Sequence, residues 1–98
     1  MVGTHKTTVS TSDGVTRVTY HSTDVVTFDA EKITLDSGGW LTATTKKRIN
    51  QASDQFDLGY HVYQLGGAWL VDIDGDRLSP RMWADGIIIN RDFTKRGM

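Results

Sequence analysis

The sequence contains no cysteine, a single proline and no long apolar run. Without cysteine there is neither a disulfide framework nor a thiolate metal site, and a reducing cytoplasm is the simplest setting. No stretch approaches the roughly 20 apolar residues a membrane helix requires, and the polar start Met1-Val2-Gly3-Thr4-His5-Lys6 has no signal-peptide pattern. A net charge of −1 withholds the strongly basic surface by which a whole molecule grips nucleic acid, leaving only local patches. Catalytic spacings are missing too. There is no P-loop, dinucleotide fingerprint or G-x-S-x-G elbow, and His5, His21 and His61 are too scattered for an HExxH-type metal site. The reading is therefore of a protein that is not an enzyme and needs no cofactor or metal.

What is present suits one globular domain over residues 1–98. Hydrophobic residues make up 38% and charged residues 23%, enough apolar material for one core and too little length for two. Threonine and valine crowd the first half and favour extended structure. Strands are expected at 6–10 and 15–21 across the turn Ser12-Asp13-Gly14, then at 24–28 and, after Asp29-Ala30-Glu31, at 32–35. Val18 and Tyr20 share one face of the second strand, and Ile33 and Leu35 mark the buried face of the fourth. Trp40 and Leu41 are expected to anchor the approach to the next element. Later, strands 60–65 and 68–73 flank Gly66-Gly67, a spacing that suits a tight hairpin. Asp74-Gly75 and Asp85-Gly86 read as further turns. A short strand at 76–79 ends at Pro80, which cannot donate to a ladder, and Ile87-Ile88-Ile89 reads as a last, well-buried strand. Mobile termini are expected at about 1–5 and 91–98.

Between these blocks lies the only helical period. Thr45, Ile49, Ala52 and Phe56 fall on one stripe, with Lys46, Lys47, Asn50 and Asp54 opposite, which predicts a helix over 44–56 capped by Thr44 or Thr45 and stopped near Gly59. Short connections imply antiparallel meanders. The expected fold is thus α+β, a curved antiparallel sheet or open barrel of about seven or eight short strands with one packed helix.

The start of that helix is the chemically odd place. Lys46, Lys47 and Arg48 add positive charge where the helix dipole is already positive, at a cost of roughly 0.3–1 kcal/mol each if exposed. Free N–H groups beside cations describe an anion-binding site built from Thr44, Thr45, Lys46, Lys47 and Arg48. The alternative is a solvated basic face whose side chains bend away from the dipole. Secondary candidates are a stacking surface of Tyr63 with Arg17 and His61, and the basic tail residues Arg91, Lys95 and Arg96. Against the stacking surface, most aromatics of so short a chain are needed in its core. Asp72-Ile73-Asp74-Gly75-Asp76 invites a calcium loop, but position 6 would be Arg77 and position 12 Trp83, so the pattern fails. A hairpin turn with solvated carboxylates explains the run better than a magnesium site does.

Several strings carry a resemblance: Val18-Thr19-Tyr20-His21-Ser22-Thr23-Asp24-Val25-Val26, Leu35-Asp36-Ser37-Gly38-Gly39-Trp40, Asn50-Gln51-Ala52-Ser53 and Gly59-Tyr60-His61-Val62-Tyr63-Gln64. Over roughly residues 17–73 the chain resembles small uncharacterised proteins encoded by tailed bacteriophages. That resemblance transfers no catalytic role. It implies expression in the cytoplasm of an infected bacterium and an accessory task, such as engaging a host protein in host takeover or anti-defence. Residue chemistry and resemblance together favour a small binding protein for a host protein or an anionic ligand. A nucleic-acid-binding module using the basic helix start is the alternative, and exposed edge strands add a homodimer as an expectation.

Overall fold

Turn chemistry folds the first half of the chain back on itself through connections of two or three residues. In the computed structural model, which describes residues 7–39, 41–74 and 79–91, the order is β1 (Thr7–Ser12), β2 (Val15–Tyr20), β3 (Thr23–Phe28), β4 (Lys32–Leu35), α1 (Ala43–Phe56), β5 (Tyr60–Leu65), β6 (Ala68–Ile73), β7 (Arg81–Met82) and β8 (Ile87–Asn90). Asp13 and Gly14 both hold positive φ, at 54° and 79°, the mirror-image turn that matches strand twist. Gly66 and Gly67 do the same between β5 and β6. The β3–β4 turn is closed by Asp29, whose carboxylate accepts the Glu31 and Lys32 amides at 2.8 and 2.9 Å. These two amides hold the Asp29 carboxyl below its ordinary value.

The strands pair antiparallel throughout, in one sheet of order β1-β2-β3-β4-β8 and a second of order β5-β6-β7. This is the expected α+β arrangement with one packed helix. The sheets stay open, and the strands divide between two of them. A register shift after Val18 leaves Val25 as an extra residue opposite β2, so the adjacent Val25 and Val26 are both buried. One apolar cluster joins all layers: Val18, Val26, Ile33, Leu35 and Ile89 from the larger sheet, Val62, Trp69, Val71 and Ile73 from the smaller, and Ile49 and Ala52 from α1.

Helix α1 buries Thr45, Ile49 and Ala52 as its stripe foretells, and half-buried Phe56 meets Phe28 at a ring distance of 5.1 Å. Its cap is Thr42, not Thr44 or Thr45, and the Thr42 hydroxyl accepts the Thr45 amide at 3.2 Å. The left-handed residue at its other end is Asp57, two positions before Gly59.

Asn50 does not face water. Its Nδ2 donates to the Val62 carbonyl and its Oδ1 accepts the Val62 amide, both at 2.8 Å. One turn on, the Ser53 hydroxyl accepts the Tyr60 amide at 3.1 Å and donates to the Tyr60 carbonyl at 2.7 Å. The Tyr60 hydroxyl in turn donates to the Ile49 carbonyl at 2.7 Å. In the β5–β6 register, Tyr60 and Val62 are the residues whose backbone groups point away from β6. Two helix side chains thus occupy the outer edge of β5 where a further strand would sit.

The loops on either side of β8 are tied to β4. Asp85 accepts the Ser37 amide at 3.0 Å, the Ser37 hydroxyl at 2.7 Å and the Trp83 indole N–H at 3.0 Å. Burial raises the Asp85 carboxyl, but these donors and the Gly39 amide outweigh it and leave the group below its ordinary value. Gly38 holds a φ of +63° and lies so close to the Thr23 side chain that a Cβ would collide with it.

Some expectations fail. Ile88 is 55% exposed, because only alternate residues of β8 face inward, and Leu41 is 56% exposed and anchors nothing. Arg91 belongs to no loose tail: its amide donates to the Glu31 carbonyl at 2.9 Å and its guanidinium to the Asp29 carbonyl at 2.6 Å. The described strand near Pro80 is β7, which follows the proline. Of the expected strand at 76–79 only Ser79 is described, and it belongs to no strand; residues 76–78, Trp40 and the remaining residues of both expected mobile termini lie outside the described residues.

Asn50→Ala strips both partners from Val62 and is expected to cost about 2 kcal/mol, read as a lower urea midpoint with an unchanged slope. Asp85→Asn should be less stable than the parent at neutral pH. A carboxyl held low stabilises the fold above its ordinary value, about 3.9, and that contribution disappears as pH falls through the lowered value. The two midpoints should therefore converge in acid, which urea melts at pH 7 and pH 3 will show.

Candidate functional site

At the N-terminal end of α1 the two ends of a loop and a hairpin turn meet around a cavity of about 320 Å³, lined by Tyr20, His21, Thr42, Thr44 and Thr45. Tyr20 ends β2 and stands edge-on to His21 at 4.3 Å. Thr42 supplies the cap, and its hydroxyl also meets that of Thr45 at 3.1 Å. Thr45 is itself buried and forms the floor. The cap satisfies the Thr45 amide and the Thr42 carbonyl takes that of Lys46. The Ala43 and Thr44 amides have no partner among the described residues and open at the helix end.

With the helix beginning at Ala43, Lys46, Lys47 and Arg48 stand at the fourth to sixth helical positions, past the turn where the dipole acts most strongly. The structure does not gather them. Successive helical residues point about 100° apart, so Lys46 reaches the smaller sheet, where its ammonium donates to the Gln64 side-chain Oε1 at 3.4 Å and lies 5.6 Å from the Trp69 ring centre. Arg48 turns the other way, lies 5.8 Å over the Tyr20 ring and donates to Gln51 at 3.2 Å. Its Nε is buried without a hydrogen-bond partner among the described residues. Lys47 is exposed. Among the described residues no carboxylate pairs with any of the three. Of the expected anion site, the structure thus brings Thr44, Thr45 and Arg48 to the Tyr20–His21 wall and takes Lys46 and Lys47 elsewhere.

His21 and Ser22 form the turn between β2 and β3 with φ of 55° and 79°. Two left-handed residues in succession call for glycine or asparagine, and neither stands here. Each such residue costs roughly 1–2 kcal/mol, so the cavity is bordered by stored backbone strain. The strands expected at 15–21 and 24–28 flank this turn, which falls one residue earlier than that spacing places it and has no glycine or asparagine to mark it.

The secondary candidates disperse. Arg17 lies on the larger sheet, 3.9 Å from the Asp24 carboxylate. His61 and Tyr63 stack at 6.0 Å on the smaller sheet, on its face opposite the core. His61, but not Tyr63, borders a polar cavity of about 330 Å³ lined also by Ser53, Asp54, Asp57, Gly59, Tyr60, Asp72 and Asp74. Burial, and Asp54 beyond it, push the Tyr60 hydroxyl well above its ordinary value. Asp72 is engaged by the Ser79 hydroxyl, and among the described residues no cluster could hold a metal ion. Arg91 is committed to the β3–β4 turn and lies over Phe28 at 5.7 Å. Asp76, Lys95 and Arg96 lie outside the described residues. No helix among the described residues is long and apolar enough to cross a membrane.

Ser22→Gly should raise stability by roughly 0.5–1 kcal/mol, since glycine holds positive φ without strain. A thermal midpoint higher by a few degrees is the expected readout, and a lower one would show that the turn is not strained.

No curated protein and no solved structure matches the chain. A family model described as Kyanoviridae Gp96 protein matches residues 2–93, nearly the whole sequence. By that match the chain belongs to the Kyanoviridae Gp96 protein family, a family of phage proteins.

Proposed function

We propose that the protein is a non-enzymatic phage accessory factor that engages an anionic group of a host protein at the start of α1, within the infected bacterium. The observation that carries this reading is the helix start itself: the Ala43 and Thr44 amides have no partner among the described residues, and Thr42, Thr44 and Thr45 beside them line a cavity with Tyr20 and His21. A helix N-terminus with free N–H groups favours a carboxylate or phosphate. Arg48, stacked on Tyr20 and unanswered by any carboxylate among the described residues, adds charge of the right sign. Strain at His21 and Ser22 supports the same place, because a hairpin kept in a costly conformation presents His21 to the cavity. Host takeover or anti-defence is the task this reading implies.

The nucleic-acid alternative draws less support. Its basic helix start is not gathered into one patch, since Lys46 turns to Gln64 and Trp69 while Arg48 turns to Tyr20, and of the secondary stacking residues His61 lines the cavity of Asp54, Asp57, Asp72 and Asp74, where phosphates would be repelled.

The test combines amide-resolved titration with capture. Inorganic phosphate and a short acidic peptide should shift the Ala43 and Thr44 amide signals, and a bacterial lysate should yield a protein retained after nuclease treatment by the parent and reduced by Arg48→Ala. Amides that stay unmoved, or capture abolished by nuclease, would overturn the proposal.

A further inference from the structure

The two sheets turn different faces outward. On the larger sheet the side away from the core is mostly hydroxyl and charged, with Thr8, Ser10, Arg17, Thr19, Thr27 and Thr34 in cross-strand register. On the smaller sheet Val62, Trp69 and Val71 take the core positions. Strand alternation therefore points Tyr63 and Leu65 of β5, Ala68 and Leu70 of β6 and Met82 of β7 away from the core. Tyr63, Leu70 and Met82 form one row across all three strands, about 10 Å wide. Leu65, beside the row, is 67% exposed and Met82 is 68% exposed. Apolar side chains gathered on one face in this way, rather than scattered singly, mark a contact surface.

One end of the row is acidic. His61 and Asp72 are cross-strand partners on the same face, and both line the polar cavity that Asp54, Asp57 and Asp74 also border. Among the described residues no cation pairs with these four carboxylates. The His61 ring stacks on Tyr63 at 6.0 Å, within 14° of parallel. A flat aromatic pair thus bridges the apolar row and the acidic cavity. A planar cation suits that junction best. Guanidinium stacks on an aromatic plane and forks two hydrogen bonds to a carboxylate, whereas an ammonium is a compact, strongly hydrated point charge.

We propose that the outer face of the smaller sheet docks a segment of another protein that carries an arginine beside apolar side chains. The apolar side chains cover Tyr63, Leu70 and Met82, and the guanidinium lies against His61 and reaches the carboxylates of the cavity. Charge complementarity selects this partner. The carboxylates repel a nucleic acid or an acidic surface, and the apolar row offers nothing to a free cation. The face shares no residue with the cavity at the start of α1. One chain therefore has two surfaces of opposite charge preference.

The probe is a blocked hexapeptide alternating leucine and serine with an arginine at one end, titrated into the full chain and followed by amide-resolved NMR. Signals of His61, Tyr63, Leu70, Asp72 and Met82 should move while those of Ala43 and Thr44 stay in place. Glutamine in place of the arginine, or serine in place of the leucines, should remove the shifts, and lysine should bind several-fold more weakly. On the protein, Asp54→Asn with Asp57→Asn takes two charges from exposed positions and should weaken binding about fivefold or more, the scale of losing partly exposed ion pairs. Met82→Ser, at an exposed side chain, should weaken it too, with the far-ultraviolet circular dichroism unchanged. Signals that stay still, or binding as strong with the glutamine, lysine or all-serine peptide, overturn the proposal. So does light scattering that shows two chains for the parent and one for Met82→Ser, which would seat a second copy on this face.

Discussion

The contact on which the rest depends is the double clasp between α1 and the outer edge of β5. A three-stranded sheet with one two-residue strand has little pairing of its own, and small sheets need a packed layer to persist. Asn50 and Ser53 supply more than packing. Their side chains satisfy four backbone groups that a neighbouring strand would otherwise satisfy, so the helix serves as both cover and edge. The Tyr60 hydroxyl returns the favour on the Ile49 carbonyl. Helix position and sheet position are thereby fixed together, and with them the apolar stripe of Ile49 and Ala52 that reaches the larger sheet.

Much of this architecture is written in local patterns. The alternation in 15–20 and 32–35, the glycine pair at 66–67 and the stripe through Ile49 and Phe56 each name their element. What stays hidden is whatever depends on a distant partner. Asn50 looks like a solvent residue because helical periodicity counts polarity alone, and a backbone edge that needs an amide leaves no trace in the helix sequence. The weak helix propensity of Asn50 and Ser53 is the available clue: a local rule broken for a tertiary reason. Three threonines in four positions, at 42, 44 and 45, make the cap ambiguous, and a shift of two residues moves the lysines out of the first turn. β7 is too short to have a period at all.

The site follows the same logic. Sequence places Thr44, Thr45, Lys46, Lys47 and Arg48 side by side, while helical geometry sends Lys46 and Arg48 to opposite sheets. What the helix end gains instead is invisible in its own sequence: a tyrosine and a histidine from a hairpin more than 20 residues earlier. That hairpin turns without glycine, and a turn of strained residues is favoured only where its side chains are worth more than its ease of folding.

Topology carries one consequence for the order of events on the ribosome. β1 to β4 can pair as soon as they emerge, since each neighbour is a short turn away. The far side of β4 cannot be completed until β8, whose partners lie more than 50 residues upstream, has been translated. Until then Leu35 and Ile33 line an unfinished edge, and the Ser37 loop waits for Asp85. A chain stalled shortly before β8 thus holds most of its hairpins yet exposes an apolar strand to any extended neighbour. Emergence of β8 and protection of the β4 edge from misassembly are, for this fold, the same late step.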